Sequence, residues 1–278
     1  MEVNLHFKTI SIAKRYINLD LKYKFQLLMD SLVIAGNFIG FGIIGLFLEA
    51  RGNVLPEGYT FEKFMLTGTY LWTMLARTYD DCIRLLLEEA SRGTMILMLE
   101  SNITITQMIF GRALASTLKY SLITSIFGLP TLKYIGALNV NLEKIPILML
   151  SIICSWIFVI GLSIILVSMT LIFKRIGMIT VSVMEITMMA IGFYFPVELF
   201  PKQLWPITGV IPFTIGMQIF RDIMILGYPR EMVNAVYSSL SMGLIKMIIS
   251  STIFITLTII ILKYTVEKAE LWGTIEQY

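Results

Sequence analysis

The stretch that decides the fold is IPILMLSIICSWIFVIGLSIILVSMTLIF, residues 145–173. It contains no Asp, Glu, Lys, Arg or His. About 20 mostly apolar residues are enough for an α-helix to cross the hydrocarbon core of a bilayer. The stretch is therefore predicted to be a transmembrane helix, and the chain a membrane protein.

Five further apolar segments lie on either side of this stretch in the chain. One of them carries a group of charges at its end, and Asp30, Lys119 and Glu185 are isolated charges inside three others. With 145–173 they predict six transmembrane helices, and hence an all-α membrane protein. The five segments are residues 27–48, 64–87, 113–130, 176–195 and 247–262.

The composition favours the same class of protein. Of the 278 residues, 56% are hydrophobic and 15% are charged, and the mean hydropathy is +0.79. Soluble domains carry about 25% charged residues. The net charge of +3 argues against a nucleic-acid partner, and a single histidine, His6, cannot build a metal site or catalytic triad that needs several. Cys82 and Cys154 are predicted to be buried thiols. The absence of an internal repeat or linker favours one domain, 1–278.

Residues 4–25 have the pattern of an amphipathic helix. Apolar residues recur at near-helical spacing, with lysine and arginine between them, which predicts a helix lying in the membrane interface. A basic tail preceding the first span is the alternative. The apolar residues are Phe7, Ile10, Ala13, Ile17 and Leu21, and the basic ones are Lys8, Lys14, Arg15, Lys22 and Lys24.

Basic residues predict the orientation of the chain. They precede the first span, occur as Lys174 and Arg175 between the fourth and fifth, and follow the sixth as Lys263 and Lys268. Lysine and arginine accumulate in cytoplasmic loops. Both termini are therefore predicted to be cytoplasmic, and so is the segment between the second and third spans.

That segment begins RLLLEEASRGTMILMLE, residues 84–100. Glu88, Glu89 and Arg92 are expected to face water, Gly93 allows the backbone to turn, and Thr94 can cap a following helix. A charged connection between two spans suits the docking of a soluble partner. The alternative is an ordinary hydrated connection.

Two stretches resemble the ABC-2 type transporter permeases. The first, LLLEEASRGTMILMLESNITITQMIFGRALAS at 85–116, has that family's acidic pair, Gly-Thr step, apolar run and glycine-basic step. The second, GFYFPVELFPKQLWPITGVIPFTIGMQIFRDIMI at 192–225, has its Phe-Pro step, later prolines, Thr and downstream Arg. The matching positions are Glu88, Glu89, Gly93, Thr94, Gly111, Arg112, Pro196, Pro201, Pro212, Thr214 and Arg221.

The resemblance implies a half-transporter in the plasma membrane, which pairs with a second copy of itself or a close relative. Separate cassette ATPases in the cytoplasm would bind ATP and magnesium, because this chain has no phosphate-binding loop and needs no cofactor of its own. Residues 84–110 would form the segment that couples to the ATPase, through Glu88, Glu89, Arg92, Gly93 and Thr94. Lys174 and Arg175 would make a lesser contact. Residues 196–240 would form short re-entrant helices, which suits an apolar loop broken by prolines. The alternative for this segment is a partly folded surface loop.

Polar and adaptable residues inside the spans are candidates for a translocation path. They are Asn37, Glu185, Met188, Phe195 and Pro196. Glu185 is mid-span, where an ionisable group is usually functional or paired, and Lys119 is either its partner or reaches an interface. A group of four charges, Arg77, Asp80, Asp81 and Arg84, has the spacing to form ion pairs on one helix face.

Two other functions remain open at the level of sequence. An ion-gradient-driven transporter or channel would use Glu185 as a titrating group, although no internal repeat supports it. A membrane-embedded enzyme would need catalytic residues at one depth, and no such cluster is visible. The cargo of an exporter is expected to be amphiphilic, drug-like or lipid-like, because the interior is rich in methionine.

Overall fold

The computed structural model describes residues 3–50, 55–56, 58–173, 177–230 and 239–271. In this part of the chain the regular structure is entirely helical, so the predicted all-α class is confirmed. The helices are α1 (Val3–Lys22), α2 (Lys24–Glu49), α3 (Phe61–Ser91), α4 (Met95–Glu100), α5 (Ile105–Tyr134), α6 (Ile145–Phe173), α7 (Gly177–Ala190), α8 (Trp205–Thr208), α9 (Pro212–Leu226) and α10 (Leu240–Leu271). Short 3₁₀ turns at Leu142–Lys144, Val197–Leu199 and Lys202–Leu204 join some of them.

Within the described ranges, three helical segments are long and apolar enough to cross a membrane: Lys24–Glu49, Leu142–Phe173 and Leu240–Ala269. A fourth is possible if Lys202–Thr208 and Pro212–Leu226 count as one span, bent by 96°. The predicted count of six is therefore met only in part. α3 and α5 have 31 and 30 residues but interior charges lower their hydropathy, and α7 has only 14 residues.

The centre of the molecule is α3, which packs against α2, α5, α6 and α9. Its start is set by Thr60, whose side chain accepts a hydrogen bond from the amide of Lys63, and such a cap satisfies one of the free amides of the first turn. α5 begins with a capping box, in which Thr104 and Gln107 bond each other's backbone. α1 lies on α5, and α6 packs against α9 and α10.

Glycines in α2 permit one close approach. A Cβ at Gly45 would lie 2.7 Å from the Cα of Glu62 in α3, so only glycine fits there. A Cβ at Gly36 or Gly40 would meet no atom within 4 Å. α2 therefore approaches α3 closely at Gly45, and makes no such close contact at Gly36 or Gly40.

The predicted re-entrant segment, 196–240, contains two 3₁₀ turns and then α8 and α9, and residues 231–238 of it lie outside the described part of the chain. The sharp bend between α8 and α9 falls where Pro212 begins α9. Every residue of α9 from Pro212 to Ile225 is buried. α9 is therefore an integral part of the core, whereas the described residues between the first 3₁₀ turn and α8 are mostly exposed.

Candidate functional site

The strongest candidate site is the corner that joins α3 to α4, defined here as residues 88–100. α3 ends at Ser91, and Gly93 turns the chain with a positive φ of 66°, a conformation that suits glycine. The amides of Arg92 and Gly93 donate to the carbonyls of Glu88 and Ala90, which closes the last turn. The corner therefore begins with a tight turn, closed by backbone hydrogen bonds, at the end of a long helix.

Glu89 stabilises the corner on its buried side, which faces α1. Its carboxylate is buried and accepts hydrogen bonds from Arg15 Nη2 at 2.8 Å and from Thr94 Oγ1 at 2.5 Å. Burial would raise the pKa of Glu89, but hydrogen bonds from Arg15 and Thr94 outweigh it and hold the pKa below its usual range. The prediction that Glu89 faces water is wrong, because α1 lies across this end of α3 and places Arg15 opposite it.

Glu88 and Arg92 lie on the outer side of the same corner. Glu88 Oε2 and Arg92 Nη2 are 3.5 Å apart, and each side chain is about one-third exposed. Leu87 and Leu97 are exposed beside them. The two successive glutamates thus differ in exposure: Glu89 is buried, and Glu88 is accessible to a partner.

α1 also holds α4. Met95 and Met98 are buried in the same cluster as Ile12 and Tyr16 of α1. Lys8 Nζ donates to the carbonyl of Asn102 at 3.0 Å, just beyond α4. The predicted interfacial helix, 4–25, is therefore a helix over Val3–Lys22 that is part of the corner. Its buried side chains are Ile12, Ala13 and Tyr16, whereas Ile10 and Leu21 of the predicted apolar stripe are exposed.

A second polar group links α1, α2, α3 and α5 next to the corner. Arg112 donates to Asp20 at 3.0 Å and to Asp81 at 2.9 Å. Lys119 Nζ lies 3.3 Å from the carboxylates of both Asp20 and Asp30. Since these side chains are largely shielded from water, the pairing offsets much of the cost of burying the charges.

This group changes two sequence predictions. Among the described residues no ion pair forms between Arg77, Asp80, Asp81 and Arg84. Asp81 pairs with Arg112 instead, because α5 brings a guanidinium directly opposite it. Lys119 is not the partner of Glu185, since it lies among the aspartates of α1, α2 and α3.

Asp80 and Arg84 point into a cavity of about 710 Å³ between α3, α6 and α7. Glu185 of α7 lines the same cavity and is exposed. The hydroxyl of Tyr79 donates to the carbonyl of Thr180 at 2.9 Å and joins α3 to α7 at its edge. The cavity is thus a charged, accessible chamber one turn of α3 away from the corner.

The other predicted path residues are not brought together. Asn37 is half-buried in α2, Met188 is in the core, and Phe195 is exposed. Pro196 lines a separate small cavity of about 30 Å³. Lys174 and Arg175, the predicted second contact with an ATPase, lie outside the described residues.

The sequence analysis missed a polar cluster at the opposite end of α3, the Arg221 cluster, made of Tyr59, Arg221, Asp222 and Arg230. Arg221 is buried and donates to the carbonyls of Gly192 and Phe193 at 2.7 and 2.9 Å, with its guanidinium 3.6 Å from the centre of the Phe64 ring. Asp222 accepts hydrogen bonds from Tyr59 and from Arg230. The adjacent charges of Arg221 and Asp222 inside an apolar segment were the available signal.

The fold and these sites define an all-helical protein with three or four candidate membrane spans and a tightly held corner at one end of its central helix. No family model matches the sequence, and no curated protein matches it. The ABC-2 resemblance therefore stays a prediction, supported by the motifs that carry it.

Proposed function

We propose that this chain is the membrane-spanning permease subunit of an ATP-driven exporter. It would pair with a second permease copy, and a cassette ATPase would bind it from the cytoplasm. The main support for the proposal is the structure of the corner. Glu89 and α1 stabilise its buried side, while Glu88 and Arg92 remain accessible. A connection that served only as a hydrated loop would not need a buried carboxylate and an additional helix to hold it.

The proposal includes six membrane crossings, with both termini in the cytoplasm of a cell whose plasma membrane holds the chain. α2, α6 and α10 have the composition of spans. α3 and α5 are each about 45 Å long, enough to cross a core of about 30 Å. Asp81, Arg112 and Lys119 are paired with one another or with α1 and α2, and Asp80 and Arg84 line the charged cavity, so these charges do not prevent crossing. α7 would complete its crossing with the residues up to Phe195.

α3 gives the corner a direct mechanical connection to the far end of the molecule. It is one continuous helix from Phe61 to Ser91. Its first turn touches the Arg221 cluster through Phe64, and its last turn carries Glu88 and Glu89. Because a helix is stiff along its axis, a displacement that an ATPase imposed at the corner would reach α9. The cargo is proposed to be amphiphilic, drug-like or lipid-like.

The test is to purify the tagged chain from its native host in mild detergent and to identify the proteins that accompany it. A cassette ATPase in equal amount, with hydrolysis that Glu88→Lys abolishes, is the expected result. The matched control is Glu143→Lys, an exposed residue in the 3₁₀ turn Leu142–Lys144, outside the corner, that makes the same change of charge. A stable particle that lacks an ATPase, or one whose hydrolysis Glu88→Lys leaves unchanged, would overturn the proposal.

An ion-gradient-driven transporter is the second candidate, and one observation favours it. Glu185 is exposed in the same cavity as Asp80 and Arg84, where a carboxylate could exchange a proton or cation. This function predicts transport in vesicles that hold a proton gradient and no ATP, lost in Glu185→Gln. Transport that requires ATP and persists in Glu185→Gln would exclude it.

A further inference from the structure

A wide groove of about 1130 Å³ runs between α10, α6 and the bend that joins α8 to α9. Phe158, Trp205, Ile253 and Leu257 are among the apolar side chains that line it. It is separate from the corner, the charged cavity and the Arg221 cluster. A surface this apolar requires an apolar occupant.

The groove follows one face of a span. The α10 residues that line it are spaced by one, three or four positions, which places them on the same side of the helix. They are Lys246, Ile249, Ser250, Ile253, Phe254 and Leu257. From Lys246 to Leu257 this face is roughly 16 Å long. That is close to half of a hydrocarbon core of about 30 Å, or the depth of one leaflet.

Two lysines stand at the groove. Lys246 lies at the end of the α10 face that is nearer the start of the helix, and Lys202 comes from the 3₁₀ turn that precedes α8. Both side chains are exposed, and none of the described residues that line the groove is acidic. Within the described ranges, neither ammonium has a carboxylate within 4 Å. The positive charge at the groove is therefore available to a ligand.

We propose that the groove binds an anionic membrane phospholipid, with its phosphate at Lys202 and Lys246 and one acyl chain along α10 as far as Leu257. The apolar face would hold the chain of any lipid, but the two lysines favour a headgroup with net negative charge. This binding goes beyond the proposed function. Lipid binding in the groove requires only that α10 crosses the membrane. Its test is therefore independent of whether an ATPase binds the chain.

Trp205 allows a direct test, because it lines the groove. The protein would be placed in phosphatidylcholine nanodiscs that contain a small fraction of lipid with brominated acyl chains, which quench tryptophan on contact. The difference in quenching between the wild type and Trp205→Phe gives the contribution of Trp205 separately from that of the other tryptophans. Brominated phosphatidylglycerol is expected to quench Trp205 at a mole fraction at least about tenfold lower than brominated phosphatidylcholine.

The double variant Lys202→Gln and Lys246→Gln should remove this preference and leave thermal stability unchanged, because both side chains are exposed. Lys263→Gln, an exposed lysine farther along α10, is the matched control and should retain the preference. Equal quenching by the two lipids, or a preference that survives the double variant, would overturn the proposal. Quenching by neither lipid would also overturn it, and would indicate a groove covered by a second copy of the chain.

Discussion

The two ends of α3 are held by different chemistry. At the corner, Glu89 and Arg15 form an ion pair between side chains, and Arg15 keeps a third of its surface exposed. At the Arg221 cluster, a fully enclosed guanidinium bonds two backbone carbonyls at the end of α7. The first contact includes a carboxylate that acid can protonate, although only well below neutral pH, whereas the acceptors in the second are backbone carbonyls, which do not titrate. The contact at the corner can therefore be weakened by acid, whereas the contact of Arg221 with the two carbonyls involves no carboxylate.

The largest loss of stability is expected from removing the hydrogen bonds of Arg221 to the carbonyls of Gly192 and Phe193. Arg221→Met keeps the length of the side chain but leaves the carbonyls of Gly192 and Phe193 without donors. Buried polar groups left unpaired cost about 1–3 kcal/mol each, so a loss of roughly 3–5 kcal/mol is expected. Thermal unfolding in detergent measures it. A variant as stable as the wild type would show that Arg221 does not stabilise the segment that follows α7.

The next effect comes from crowding the same arginine. A Cβ at Gly68 would lie 2.2 Å from Arg221 Nη2, so Gly68→Ala must displace the guanidinium. Overpacking of this kind costs about 1–3 kcal/mol. Gly40→Ala is the control, because a Cβ there meets nothing within 4 Å. Equal melting temperatures for the two alanine variants would contradict the close contact.

At the corner, Glu89→Gln removes the carboxylate that Arg15 and Thr94 bind. The expected loss is about 1–2 kcal/mol, confined to the docking of α1. Trypsin should then cleave at Lys14 in α1 roughly five to thirty times faster, since cleavage follows the population of the opened form.

Glu88→Gln is the matched control for this change. Its pair with Arg92 is longer and part-exposed, and such pairs contribute about 0.3–0.5 kcal/mol. Cleavage in α1 should therefore stay within about twofold of the wild type. If both glutamine variants accelerated cleavage equally, the distinction between the buried and the exposed glutamate would be lost.

The smallest effect is a dependence of the corner on pH. The pKa of Glu89 is lowered in the folded state, so its stabilising contribution is complete above the unfolded value of about 4.3. That contribution is lost as the pH falls from there through the lowered pKa. An environment-sensitive dye on Lys14→Cys should report undocking of α1 over this window. In Glu89→Gln the change of this signal with pH should be smaller, and what remains would come from the other ion pairs of α1, those of Asp20 with Arg112 and Lys119.

The apolar helices were the predictable part of the fold. Uncharged runs define α2, α6 and α10 without reference to any partner, and the pattern of residues 4–25 predicts α1 to within a few residues. The bend before α9 was also visible, since Pro212 cannot continue a preceding helix.

The partners of the charged residues were not predictable. Asp81 has arginines at helical spacing in its own segment, yet it pairs with Arg112, 31 positions away, because α5 lies against that face of α3. Glu88 and Glu89 differ by one position, and only the placement of α1 decides which is buried. Helix periodicity gives the direction of a side chain relative to its own helix, whereas burial depends on what the other helices cover.

The contacts of α1 impose an order on the synthesis of the chain. Lys8 bonds the carbonyl of Asn102, and Arg112 bonds Asp20, so the partners of this first helix are made about 90 residues later. At ribosomal rates of about 5–20 residues per second, α1 waits roughly 5–20 s before α5 exists to receive it. During that interval Ile12 and Tyr16 have no protein surface to cover them. In the proposed membrane arrangement, the lipid headgroup region or a chaperone would hold the helix until the corner forms.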